Sequence, residues 1–478
     1  MFHLQITPFL KKDTNIPIYL QLYLFFREEI EKGSILTGEK LPSIRELSQS
    51  LNISRNTVDT AYQQLIAEGY VESREKSGLY VLELDEVPML QEVQHELKLH
   101  HVESKTNHLI DFQYGDIELE RFPLKVWKKC LMAAIDAPSH EVFSYGDKKG
   151  HFGLRSEIAS YLFQARGVRC SPDQIILAAG TQSAVNVLIQ LLSLQNSKVA
   201  LENPGYDGVR YVFESQNSEV VPISLEEDGI NIAELEQSSA KCVYVTPSHQ
   251  FPIGMILPIQ KRMKLLQWAE KNQTYIIEDD YDGEFRYAGQ PIPSLKSLDT
   301  NEKVIYLGTF SKAFLPAARV TYIVLPEPLV EIYQSKLFFL SQTVSPLIQE
   351  ALYRFMKEGH FGRHIRKMRK IYQGKQAALL KAIDLYLGDK VHVIGQKAGL
   401  HLLLELKDLD AIQLVKKAEE FGIRIYLTEK FWLKRPSHFD QPIMLGFGGL
   451  SMEEIKSGVQ KLGKAIQAVN SNSQRVLE

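Results

Sequence analysis

From residue 109 onward, short apolar runs of strand length alternate with longer helix-like stretches. IILAAG, KVALENP, CVYVTP, YIIEDDYD, VIYLGTF and YIVLP each stop at a small, charged or turn-forming residue. Strands separated by helices cannot pair as hairpins, so they build a mostly parallel sheet with helices on its faces; the pattern predicts an α/β domain. After about residue 345 the texture turns helical and then mixed (GLHLLLELKD, FGIRIYL, IMLGFGGL), which predicts a smaller α+β lobe. No run approaches the ~18–20 apolar residues that span a bilayer. The first residues, MFHLQITPFLKKD, lack the cationic start, apolar core and small-residue cleavage site of a secretion signal. Cys130, Cys170 and Cys242 are too widely spaced for a metal or disulfide pattern. A cytoplasmic location without membrane contact is expected.

A chain of 478 residues exceeds one compact core, and its beginning reads differently. IYLQLYLFFREEIEKG carries an apolar stripe of Ile18, Leu22, Phe25, Phe26 and Ile30 and stops at Gly33. Ser43, with Glu46 three residues later, has capping-box spacing for a second helix. The tight turn Leu51-Asn52-Ile53 leads to Ser54, the expected N-cap of a third, and YVESREKSGLYVLEL alternates as a β-hairpin would. Two short helices at a tight turn, the second opening with Ser54, Arg55, Asn56 and Thr57, match the geometry that lays a recognition helix in the major groove of DNA. Arg45, Arg74 and Lys76 flank them. Basic and acidic residues nearly balance over residues 1–80, so a protein-interaction module is the competing reading, and DNA binding requires a local basic surface. The expected division is a DNA-binding unit over 1–82, a linker over 83–108 and an α/β unit over 109–478.

Three strand ends carry chemistry. In QIILAAGTQSAVNVLIQLL a buried strand runs through Gly180-Thr181-Gln182 into a helix, whose free N–H groups and dipole form an anion cradle. YIIEDDYDGEF sets a carboxylate cluster at another strand end; it lacks the rest of a calcium loop, and a solvated turn is the alternative. VIYLGTFSKAFLPAAR ends on Thr309, Ser311 and Lys312, with Arg319 seven residues further. A lysine on a loop is ordinarily a surface lysine; in this setting it is a candidate Schiff-base nucleophile beside a phosphate site.

LPSIRELSQSLNISRNTVDTAYQQLIAEGYVESREKSGLYV resembles the GntR-type winged helix. Position by position, that resemblance implies DNA contacts at Ser43, Arg45, Ser54, Arg55, Thr57 and the wing Gly78. The three strand-end segments, in their order, resemble fold-type I aminotransferases over about residues 110–468, with a large parallel-sheet lobe and a smaller α+β lobe. The implied cofactor is pyridoxal 5′-phosphate: Lys312 forms its Schiff base, Asp279 pairs its ring nitrogen and Tyr206 stacks on the ring. Thr181, Gln182, Thr309 and Arg319 hold the phosphate, and Tyr145 reaches the phosphate of a neighbouring subunit, which implies a homodimer. TPSHQFPIG, EDDYDGEF, LGTFSK and TAYQQLIAEGY together resemble the MocR/GabR subfamily, regulators that join such a winged helix to an aminotransferase-like domain. The partners implied are double-stranded promoter DNA and a small amine or amino-acid effector, or the cofactor itself, with domains that can swap between subunits.

The sequence departs from the aminotransferase pattern at informative places. The arginine that grips a substrate carboxylate in those enzymes is replaced in Met444-Leu445-Gly446-Phe447, and Phe251 stands where they carry an asparagine to the ring hydroxyl, leaving Tyr281 as its partner. Losing a charge-assisted anchor removes substrate orientation, so a sensor is favoured over an enzyme with physiological turnover; an active aminotransferase with an accessory N-terminal domain is the alternative, and a cofactor-buffering protein a third. The positions that read γ-aminobutyrate in GabR-like proteins are Gly208 and Lys430 here. Glycine cannot donate and lysine is a point charge rather than a fork, which disfavours γ-aminobutyrate and leaves Lys430 as an effector candidate for some other acidic group.

Overall fold

The computed structural model describes residues 10, 16–75, 77–84, 109–137, 140–287, 293–337, 339–407, 409–435 and 442–477. The chain divides into two units, Met1–Ser104 and Lys105–Glu478. Lys76 and, from residue 85 on, the linker expected over 83–108 lie outside the described residues.

In the first unit, helices Ile18–Glu31, Ile44–Leu51 and Arg55–Ala67 precede the antiparallel strands Val71–Arg74 and Gly78–Val81, with Arg74 opposite Gly78. Ser43 and Glu46 form the reciprocal capping box: each backbone N–H donates to the other's side chain. Asn52 takes the left-handed conformation (φ 53°) that ends the second helix, and Thr57 N–H donates to Ser54 Oγ at 3.1 Å to start the third. Leu22, Phe26, Val58, Ala61, Tyr62 and Leu65 are buried together, and the Phe26 and Tyr62 rings meet edge to face at 5.5 Å. The first helix differs from its expected stripe in two respects: Ile18 and Phe25 are only half-buried. Tyr23 is buried where Phe25 was expected, because its hydroxyl finds a partner in the Glu68 carboxylate.

In the second unit an eight-stranded sheet runs, edge to edge, through Ile175–Ala178, Thr321–Val324, Val304–Thr309, Tyr275–Asp280, Cys242–Val245, Lys198–Asn203, Glu219–Glu226 and Gly229–Ile230. The pairs from Val304–Thr309 to Glu219–Glu226 are parallel. Thr321–Val324 is antiparallel to both neighbours. Alternate residues serve opposite faces: Ile175 and Leu177 join one apolar cluster, Ile176 and Ala178 another. This is the doubly covered sheet that the alternation of strands and helices predicts.

The smaller lobe is a four-stranded sheet of Val391–Ile394, His401–Leu406, Ile443–Gly446 and Tyr426–Leu427 with antiparallel pairings. It shares a core with helices His360–Tyr386, Ala411–Glu420 and Met452–Leu477, through residues such as Leu402, Leu404, Met368, Leu379, Leu414 and Val459. Among the described residues no helix is long and apolar enough to cross a membrane.

Candidate functional site

In open α/β sheets, ligands bind beyond the carboxyl ends of the strands. Here those ends converge on a cavity of about 250 Å³. Thr181, Gln182, Tyr206, Asp279, Tyr281, Thr309, Lys312 and Arg319, all singled out from sequence, line it. So do Tyr114, Gly115, Thr246, Phe251, Ser311 and Pro316.

One end of the cavity is built to hold an anion. The strand ending at Ala178 turns through Gly180 (φ 91°) into the helix Thr181–Leu191, leaving the first N–H groups of that helix without helical partners. A Cβ at Gly180 would run into the Arg319 guanidinium, so only glycine lets that cation approach the helix start. Arg319 itself is held at φ 52°, a left-handed conformation that costs a non-glycine residue about 1–2 kcal/mol. Such strain is retained where the surrounding structure fixes a side chain for use. Thr309 caps the short helix Phe310–Ala313 by accepting from Ser311 N–H, and Thr321 Oγ1 lies 3.1 Å from its hydroxyl.

Lys312 projects from that short helix. Its Nζ lies 4.3 Å from the centre of the Tyr114 ring, and Gly115 leaves room beside it. Burial lowers the Lys312 pKa to about 8, opposed by the nearby charges of Asp282 and Asp116. A larger share of the amine is therefore free base near neutrality than in an exposed lysine, as a nucleophile toward a carbonyl requires.

The carboxylate cluster is divided among separate tasks. Asp279 accepts from the Tyr244 hydroxyl and faces the cavity. Burial raises its pKa to about 7, with the Tyr244 bond opposing; a carboxylate so placed favours a cationic partner. Asp280 pairs with Arg166 Nε at 2.6 Å and accepts from Tyr306 at 2.6 Å. Asp282 lies 2.9 Å from His249 Nδ1. With each acid directed to its own protein partner, neither a metal cluster nor a solvated turn describes this segment.

Tyr206 and Phe251 stand edge to face at 5.7 Å. Behind Phe251 the wall is apolar: Met444, Leu403 and Phe431 are buried with it. The position expected to lack a carboxylate anchor is thus sealed within a hydrophobic cluster. Two residues from the sequence reading do not line the cavity. Tyr145 is 91% exposed, and Lys430 points outward and pairs with Asp207 at 3.6 Å. Sequence reasoning missed Tyr114, Thr246, Tyr244 and His249; the only local signal was the position of Thr246 directly after a strand.

On the first unit, Arg45, Arg55, Ser43, Ser54 and Gly78 are exposed and Thr57 is half-buried. The Ser43 and Ser54 hydroxyls are already engaged as helix caps. Arg74 lies over the Tyr80 ring at 4.5 Å and pairs with Glu72. A Cβ at Gly78 (φ 120°) would meet Lys40 at 2.7 Å, so glycine is needed where the wing returns. The acidic residues Glu28, Glu29 and Glu31 lie on the first helix, away in sequence from the basic start of the third.

A winged helix and a strand-end lysine cavity in one chain define a two-part class, and comparison with known proteins agrees. The family profile for aminotransferase class I and II matches residues 107–440, and that for bacterial regulatory proteins of the gntR family matches residues 18–81. The uncharacterized HTH-type transcriptional regulator YdeL of Bacillus subtilis is 40% identical, with 97% of this chain and 99% of that protein covered. The probable rhizopine catabolism regulatory protein MocR of Rhizobium meliloti is 32% identical, with 97% and 96% covered. Among solved structures, LysN, an α-aminoadipate aminotransferase from Thermus thermophilus complexed with N-(5′-phosphopyridoxyl)-L-leucine, superposes with a TM-score of 0.68 at 27% identity, covering 76% of this chain and 93% of that one. The chain belongs to the MocR/GabR type of HTH transcriptional regulators, with a GntR winged helix and an aminotransferase-like domain.

The residues present fit the cofactor of that fold, pyridoxal 5′-phosphate. A partly deprotonated lysine, a buried acid that favours a cation and a glycine-opened anion cradle with its arginine line a single cavity.

Proposed function

We propose that this is a cytoplasmic, homodimeric regulator that binds promoter DNA through its winged helix and uses pyridoxal 5′-phosphate in the strand-end cavity to sense a small amine, an amino acid or the cofactor itself. Lys312 tethers the cofactor, Asp279 pairs its ring nitrogen, Tyr206 stacks on the ring and Tyr281 serves its hydroxyl. Thr181, Gln182, Thr309 and Arg319 hold its phosphate, and Tyr145, exposed in the single chain, reaches the phosphate bound by a second copy. Bound there, the cofactor supplies an aldehyde for amines and an electron-withdrawing ring. Ser43, Arg45, Ser54, Arg55, Thr57 and Gly78 form the DNA-facing surface. Effector binding changes the pose of the two units, which exchange between copies, and with it the spacing of the DNA-reading helices.

The observation that carries this reading is the setting of Lys312: a desolvated amine that shares with Asp279 a cavity with an anion cradle at one end and the Phe251–Met444 apolar wall behind. That wall offers no guanidinium to orient a carboxylate, so steady transamination is not expected. The test has two arms on the full-length protein. Incubation with pyridoxal 5′-phosphate should give a visible absorption band, and borohydride should then fix the label on Lys312. A gel shift with DNA from upstream of the gene should show a complex that Arg55→Ala weakens. A colourless protein overturns the cofactor assignment; absence of a complex overturns the assigned DNA surface.

A further inference from the structure

Three buried groups behind the cavity share too few protons for all their contacts. His249 Nδ1 lies 2.9 Å from Asp282 Oδ2 and 2.9 Å from the Tyr281 hydroxyl. The other ring nitrogen, Nε2, is buried with no hydrogen-bond partner among the described residues. The ring is closely flanked on both sides. A Cβ at Gly399 (φ 79°) would strike it, and one at Gly254 would lie 3.1 Å from Nε2, so two glycine backbones hold it on either side.

Only two neutral arrangements exist. If the proton is on Nε2, a buried N–H is orphaned and the bare Nδ1 lone pair faces the Asp282 carboxylate. If the proton is on Nδ1, it is donated to Asp282, and the unpaired atom is a bare nitrogen. An orphaned donor and a repelled carboxylate cost more than an unused lone pair, so the second arrangement is the stable one. Nδ1 then cannot accept from Tyr281. The Tyr281 hydroxyl proton must point elsewhere, and the open side is the cavity that Tyr281 lines. Phe251, 5.9 Å from the Tyr281 ring, offers no competing donor.

We infer that His249 is a positioning residue: held by Asp282, it turns the hydroxyl proton of Tyr281 into the cavity, toward the ring oxygen of the bound cofactor. The inference rests on the assignment of this cavity to pyridoxal phosphate. The other titratable groups around the pair are His401, whose ring lies 5.5 Å from that of His249, together with Tyr114, Tyr287, Asp279, Glu202 and Lys312. Burial holds the His401 pKa near 4, so it is neutral and adds no charge at ordinary pH.

The test is a pH titration of the visible absorption of the cofactor-loaded protein. A donor on the ring oxygen stabilises the deprotonated chromophore, so losing it raises the titration midpoint. Tyr281→Phe should raise it directly. Asp282→Asn frees His249 to accept the Tyr281 proton; relative to its effect in a Tyr281→Phe background, it should shift the midpoint upward by about half a pH unit or more. In that background, loss of a negative charge alone should lower the midpoint. His249→Phe removes the ring that links Asp282 to Tyr281 and should raise the midpoint only while the Tyr281 hydroxyl is present. Equal shifts in both backgrounds overturn the inference while leaving the cofactor assignment standing. A wild-type protein that takes up no chromophore overturns both.

Discussion

The amine of Lys312 sits over the face of Tyr114, 4.3 Å from the ring centre. Burial outweighs the nearby charges of Asp282 and Asp116 and leaves the Lys312 pKa at about 8; the negative face of the ring is a further contact that favours the ammonium. The rate of cofactor capture should therefore rise with pH and level off above about 8. Tyr114→Leu removes an interaction of about 0.7 kcal/mol, so the midpoint of that profile should fall by about half a unit. Stopped-flow measurement of the growing absorption band at several pH values checks both expectations.

Gly180 lies where a side chain would displace Arg319. Gly180→Ala adds that clash to the strain of a positive φ and should weaken cofactor binding at least about tenfold, which corresponds to about 1.4 kcal/mol. An absorbance or fluorescence titration reads the change. Unchanged affinity would mean that the guanidinium plays no part in holding the phosphate.

Burial pushes the pKa values of Glu202, Glu278, Asp279 and Glu284 up to about 7. An acid whose folded pKa exceeds its unfolded value binds more protons when folded, so stability falls as pH rises toward that folded value. His364 and His401, lowered to about 4, act in the opposite sense as pH falls below about 6.5. The four acids dominate between these limits, and the cofactor-free protein should melt at a higher temperature at pH 6.5 than at pH 8. Calorimetry at the two pH values tests this, and cofactor binding should reduce the difference by giving Asp279 a cationic partner.

The two serines expected on the DNA surface are helix caps, which makes two kinds of loss separable. Ser43→Ala removes the capping-box acceptor and should destabilise the first unit by about 1 kcal/mol. Arg55→Ala removes an exposed cation with no structural partner among those described; it should leave melting unchanged but weaken DNA binding and reduce the slope of log affinity against log salt by about one. Thermal melts and anisotropy titrations at several salt concentrations distinguish them.

Apolar strand runs that stop abruptly made much of the fold and the cavity legible. IILAAG, YIIEDDYD and VIYLGTF deliver Thr181, Asp279 and Lys312 to one end of the sheet because parallel strands place their termini together. The reversal of Thr321–Val324 was not legible, since an antiparallel strand buried on both faces has the same apolar pattern as a parallel one. Tyr244 lies inside the run CVYV and reads as core until Asp279 is seen beside it. Tyr114 follows a strand of only two residues, Ile110–Asp111, too short to show a period. His249 is flanked by Gly254, five residues on, and by Gly399 from a distant segment, and the local pattern does not carry that second contact.

The sulfur and carbon of Met444 behind Phe251 also act on any molecule that tries to go further in. An ion carries its hydration shell at great cost of removal, and the Met444, Leu403 and Phe431 side chains replace none of the water an anion would lose. A compound with a carboxylate on that side must be dehydrated against hydrocarbon, whereas one ending in a methyl or aromatic group loses little. On the proposed sensing function, the pocket is expected to sort visitors by how readily their far end dries.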